Sequence, residues 1–105
     1  MDLSQLELHD ALLLGVAFDP VARTVQVRLA YYPTEQASHR VAGCLRYGGV
    51  SQFNQLVDLD QLANHASAGN VIQWRPSKGS GASAIHLIGG LIAVTAASVE
   101  FVAGD

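Results

Sequence analysis

Charge is scarce in this chain. Only 14% of its 105 residues are Asp, Glu, Lys or Arg, against about 25% in an ordinary soluble domain. The balance is acidic, with nine carboxylates, six basic residues and a formal net charge of -3. Arg23, Arg28, Arg40, Arg46, Arg75 and Lys78 lie singly along the chain, and phosphate binding needs clustered positive charge, so nucleic acid is excluded as a partner. Cysteine is nearly missing too. Cys44 stands alone, which rules out a disulfide framework within the chain and suits a reducing compartment. There is no linker rich in Pro, Gly or Ser and no repeat of 20–50 residues. The most hydrophobic stretch, 85–99, is shorter than the roughly 20 residues that span a bilayer and carries His86 and Gly89-Gly90 inside it, so it reads as core and no membrane contact is expected. The first ten residues hold acids where a secretory signal holds Lys or Arg, which points to a cytoplasmic location.

What the chain does have is aliphatic bulk. Hydrophobic residues make up 50% and aromatics 7%, so Ala, Leu and Val carry the apolar content. Such a composition can offset conformational entropy by burial, and disorder is excluded. The length predicts one domain over 1–105 that folds without a staple or structural metal. With so few charges to cover it, the surface must expose apolar groups, the kind of surface that meets another protein.

The clearest periodicity is two. Residues 24–31 put Val25, Val27, Leu29 and Tyr31 on one face and Thr24, Gln26 and Arg28 on the other, the pattern of a half-buried strand. Leu12, Leu14, Val16 and Phe18 alternate before it, and Asp19-Pro20 supplies the turn of a hairpin. Leu6 and Leu8 extend the same alternation, and the segment before residue 10 is read as strand, although Ser4 and Glu7 also have capping-box spacing. Pro33 to Ser38 is a polar loop. Val41, Gly43, Leu45 and Tyr47 then form a strand that Gly48-Gly49 should break. Leu59, Leu62, Ala63 and Ala66 change to helical spacing, with Asp58 or Asp60 as cap and Gly69 as stop. Val71 to Trp74 returns to strand and ends at Arg75-Pro76, residues 78–83 read as a flexible tip, and Gly89-Gly90 reads as a two-residue hairpin loop between Ile85–Ile88 and Leu91–Val94. A last strand covers Ser98 to Val102 after a kink at Ala96-Ala97. The expected fold is α+β but mainly β: six to seven antiparallel strands as a curled sheet, small sandwich or open barrel with one short helix.

Catalytic motifs are missing. Gly-x-Ser-x-Gly, His-Glu-x-x-His and Gly-x-Gly-x-x-Gly do not occur, and the Ser77–Gly81 tip lacks Walker spacing. His9, His39, Cys44, His65 and His86 are scattered with no paired spacing, so neither a metal nor a cofactor is expected. A Cys/His or metal-assisted enzyme would need at least three of His9, Asp10, Cys44 and His86 to converge. Neighbouring His9 and Asp10 point apart in regular structure and are read as local capping groups. Cys44 could be activated only by Arg46 on its own strand face and is read as a small buried hydrophobe. Asp58 and Asp60 are explained by helix capping, and His65 by the last helical turn.

Leu8-His9-Asp10, the Asp19-Pro20 to Val25 hairpin, Gly69-Asn70-Val71 with Trp74 and Pro76, and the Gly89-Gly90 turn together resemble the layout of short uncharacterised bacterial β-rich proteins, some of them grouped with toxin-immunity proteins. The resemblance implies a bacterial domain that acts by protein contact, and it carries no catalytic residue. The chain's own surface argument agrees: the expected partner is itself, as a homo-oligomer, or another protein. Interfaces favour aromatic and Arg anchors, and Tyr32, Tyr47, Trp74 and Arg75 are the candidate binding residues. A small-molecule binder whose curled sheet encloses an apolar pocket beneath the helix, lined by Leu12, Leu14, Val27, Leu29, Leu45, Leu87 and Val94, is the alternative.

Overall fold

Asp19 starts the first turn with its own side chain. Its Oδ1 accepts from the backbone N–H of Val21 and of Ala22 at 2.9 and 3.0 Å, and Arg23 N–H closes the turn on the Asp19 carbonyl at 2.8 Å. Pro20, with no N–H to satisfy, fits inside it. This turn joins β1 (Leu12–Asp19) to β2 (Thr24–Tyr31) as an antiparallel hairpin. The computed structural model describes residues 3, 6–34, 36–60, 69–76 and 81–104. Along β2 the alternation holds, with Val25, Val27, Leu29 and Tyr31 buried. Along β1 it does not. Leu13 pairs with Leu29 but Gly15 pairs with Arg28, so Leu14 is the extra residue of a bulge. The bulge shifts the phase, so that Leu13 before it and Val16 after it face the core while Leu14 is exposed; Phe18, paired with Val25 on the Val16 face, packs on Phe53 with ring centres 5.4 Å apart and stays exposed at the strand's end.

The other strands are β3 (Val41–Val57), β4 (Val71–Arg75), β5 (Gly81–Leu87) and β6 (Gly90–Ala103), and the sheet order is β1-β2-β3-β6-β5-β4, every neighbouring pair antiparallel. Two expected breaks are not breaks. β3 runs through Gly48-Gly49, and β6 runs through Ala96-Ala97, because the two sites lie opposite each other: Gly48 pairs with Ser98 and Val50 with Ala96. Gly49 has φ +59, and a Cβ there would come within 2.8 Å of the Ala97 Cβ. Here the strand pair changes which side it buries, with Ile92, Val94 and Ala96 inward on one half of β6 and Val99 and Phe101 against the core on the other. Ser51, the extra residue of a second bulge, completes the turn of β3. Arg23 ties the first hairpin to this bend, accepting from Val50 N–H at 2.9 Å and donating from Nε to Val50 O at 3.1 Å.

Three other expectations are corrected. The β5–β6 turn is Ile88-Gly89 rather than Gly89-Gly90, since Leu87 pairs with Gly90; Gly90 is required because a Cβ there would run into the Leu56 carbonyl. Gly81 to Ser83 belongs to β5, and Ser83 is buried, rather than part of a tip. The described residues before residue 10 are not strand: Leu6 and Leu8 plug the core from an irregular stretch. The helix expected over 59–66 lies outside the described residues save for Leu59 and Asp60, which are helical.

The sheet is unclosed but its outer strands touch at one corner. Leu12 bridges Asn70, Leu13 N–H donates to Gly69 O, Val71 N–H to Ala11 O and Asp10 N–H to Val71 O, at 2.8–3.0 Å. Curling the sheet this far lets both ends share one apolar cluster, from Leu8 and Leu29 to Ile85 and Ile92.

Candidate functional site

The corner carries a partly polar concavity. Leu8 and Ala11 are fully buried, and Ala11 N–H donates to the Leu8 carbonyl at 2.9 Å, which forces His9 and Asp10 outward as the two centre residues of a tight turn. Asp10 adopts φ +64, a left-handed backbone that Asp tolerates better than most residues. That backbone undoes the rule that adjacent side chains point apart. His9 Nε2 and Asp10 Oδ2 approach to 3.7 Å, both well exposed. Glu7 Oε1 accepts from His9 N–H at 2.7 Å, and Arg40 Nε donates to the Asp10 carbonyl at 3.1 Å while its guanidinium lies 5.0 Å from the Tyr32 ring centre.

Between this turn and the β2–β3 connection opens a cleft of about 1060 Å³ lined by Leu6, Glu7, His9, Asp10, Tyr31, Tyr32, Pro33, Thr34, Ala37 and Ser38. Its inner wall is apolar: Leu6 and Tyr31 are buried there, and Tyr31 is braced edge-on by Phe101 with ring centres 5.0 Å apart. Among the described residues its formal charges are the carboxylates of Glu7 and Asp10. A second depression, of about 660 Å³, lies at the far end of β3. Leu56, Leu59 and Ile88 line it at 75%, 74% and 54% exposure, with Asp58 and Asp60 beside them.

The four candidate binding residues do not converge. Tyr32 lines the cleft. Tyr47 is only 2% exposed, and a side chain filling the core cannot anchor a contact, so it is corrected to a structural residue. Burial raises its phenol above the ordinary tyrosine pKa, an effect partly offset by the Ser83 hydroxyl. Trp74 is half-buried and Arg75 exposed on the outer strand β4, where the Gln73 amide oxygen, in the orientation that satisfies both side chains, accepts from Arg75 Nε and Nη2 at 3.0 and 3.1 Å. Cys44 is buried with its thiol against the carbonyl of Leu45, His86 sits on the face of β5 away from Ile85 and Leu87, and His65 lies outside the described residues. Among the described residues no three His, Cys, Asp or Glu gather as a metal set, and no helix there is long and apolar enough to cross a membrane. Of the residues expected to line an apolar pocket, Val27, Leu29, Leu45, Leu87 and Val94 are buried in the core cluster, while Leu14 points out.

Sequence reasoning missed Glu7, Arg40, Leu56, Leu59 and Ile88 as surface features. His9-Asp10 was visible as a pair, but only the turn brings the two together. Comparison with family models, curated proteins and solved structures finds no match for the chain.

Proposed function

We propose that this chain acts by protein contact, as a homo-oligomer joined through the apolar end at Leu56, Leu59 and Ile88. The observation that carries this reading is the convergence of three largely exposed aliphatic side chains in one depression. Removing a Leu or Ile side chain from water contributes about 1.5–3 kcal/mol, and single exposed aliphatics are ordinary where a cluster is not. The depression also contains the β5–β6 turn, whose backbone is held in place by Asp58 N–H on Gly89 O and by Ile88 N–H on Asn70 O at 3.3 and 3.0 Å. A contact there would be pre-shaped. Two copies meeting at this end bring four carboxylates from Asp58 and Asp60 near one another, so association should tighten as salt screens them.

A second reading draws on those same acids. An apolar centre beside Asp58 and Asp60 suits a different protein that offers an apolar anchor with basic residues around it, the mode expected of an immunity-like domain. Sedimentation velocity over a concentration series separates the two. Self-association predicts a concentration-dependent oligomer, stronger at higher salt, that Leu56→Ser combined with Ile88→Ser weakens at least about tenfold. A wild-type chain that sediments as a monomer at every concentration overturns self-association and leaves the heterologous contact as the reading to pursue.

A further inference from the structure

We infer that the contact between copies is not confined to the end of the molecule but spreads from Leu56 over the outer face of β3, β6 and β5, where it meets the same face of a second copy. The inference rests on the self-association proposed above and extends it. The end alone is too small. Three aliphatic side chains and a turn form the depression, whereas a stable contact takes about 800 Å² and roughly 20–30 residues from each partner. Strand register says where the remainder lies. Ile85, Leu87, Ile92 and Val94 are buried, so the residues between them point outward. On that outer face Leu56 stands opposite Leu91 and Leu91 opposite His86, and the next row is Asn54, Ala93 and Ala84. The apolar end and this face are therefore one surface, joined at Leu56.

Charge separates this face from the rest of the sheet's outside. None of the six positions holds Asp, Glu, Lys or Arg. Beside them Arg75 stands opposite Ala84 on the outer strand β4, where the Gln73 amide oxygen takes up its guanidinium. On the other side of the Gly49 bend the outer face carries Arg28, Arg46 and Glu100, all exposed. An interface core is depleted in charge while the remaining surface keeps it, so the uncharged half is the half that packs. Alanine at 84 and 93 keeps the face flat, which lets two sheets stack about 10 Å apart. The same lack of charge selects the occupant. Such a face offers no sign for a charged partner to complement and does not repel its own copy, and a two-fold contact uses one patch on both sides.

Amide NMR of the full chain at increasing protein concentration locates the contact, and sedimentation velocity measures it. Shifts are expected at Ala84, His86, Leu91 and Ala93 together with Leu56 and Ile88, and none at Arg28 and Arg46. Asn54→Lys and Ala93→Lys should each weaken association at least about tenfold, because each puts a strongly hydrated ammonium on a surface that must lose its water. Asn54 is exposed, so its replacement leaves the core intact. Gln26→Lys, exposed on the charged half, should leave association unchanged. Shifts confined to the depression, or association that Leu56→Ser with Ile88→Ser weakens and neither face variant does, would overturn the extension over the face while self-association through the end stands. A wild-type chain that stays monomeric would overturn both.

Discussion

Single side chains set the two extremes of this protein, a phenol sealed in the core and a charged turn held outside it. Tyr47 is buried and its phenol pKa lies above the ordinary value of 10.0. The unfolded chain therefore releases this proton near pH 10 while the folded chain keeps it, and stability falls as pH rises past 10. Below that pH the contribution is fully present. The loss reaches at most about 1.4 kcal/mol per pH unit for one group. Urea unfolding of the wild type and of Tyr47→Phe, followed from about pH 9 to pH 11, should show the midpoint of the wild type falling more steeply than that of the variant. Parallel curves would mean that the phenol ionises within the folded state. Gly43 shows the same economy of space: a Cβ there would strike the Phe101 ring and come within 2.9 Å of Tyr31 Cε1, so glycine is what lets the two rings meet edge to face.

At the scale of elements, β3 and β6 do the work of two strand pairs each by bending in register. Gly49 supplies the left-handed residue, Ala97 the small neighbour across from it, and Ser51 the bulge, with its hydroxyl donating to Thr95 O at 3.3 Å. Replacing Gly49 by Ala adds two separable penalties, a left-handed alanine at about 1–2 kcal/mol and the 2.8 Å contact with Ala97. Thermal unfolding should place Gly49→Ala below the wild type, and Ala97→Gly in that background should recover the contact component alone. Full recovery would show that backbone strain at residue 49 is unimportant. The first hairpin depends on the same bend through the pair of hydrogen bonds between Arg23 and Val50.

For the molecule as a whole, what matters is how an open sheet keeps one core dry. Strands β1 and β4 are edges, and edges are vulnerable to pairing with other chains. Here they are joined at one corner and bulged beside it, at Leu14 on β1 and at Ile72 on β4. The corner also positions the cleft, since Asp10 N–H is one of its hydrogen-bond donors. Hydrogen exchange tests whether the corner opens only with the fold. The amides of Asp10, Leu13 and Val71 should exchange as slowly as those in the middle of β2, because Leu8, Ala11 and Val71 beside them are fully buried. Fast exchange at these three with slow exchange in β2 would show a seam that opens on its own.

The sequence alone was enough for the β character, the limits of β2, the Asp19-Pro20 hairpin and the polar loop after Tyr32. Those features are local: alternation and turn chemistry act between residues a few positions apart. Val25, Val27, Leu29 and Tyr31 are buried as their spacing requires. The alternation of β1 misled because a bulge at Leu14 leaves no mark in a run of three leucines, and Gly48-Gly49 and Ala96-Ala97 were seen as irregular without any sign that they lie opposite each other. Registry between distant strands is decided by packing, so only the tertiary structure could turn two apparent breaks into one bend. The same holds for the surface. His9 and Asp10 were legible as neighbours, but their approach needs the φ of Asp10, and that conformation is forced by Leu8 and Ala11 being buried on either side. Leu56, Leu59 and Ile88 are scattered aliphatics in the sequence and become one patch only because Val57 pairs with Gly90.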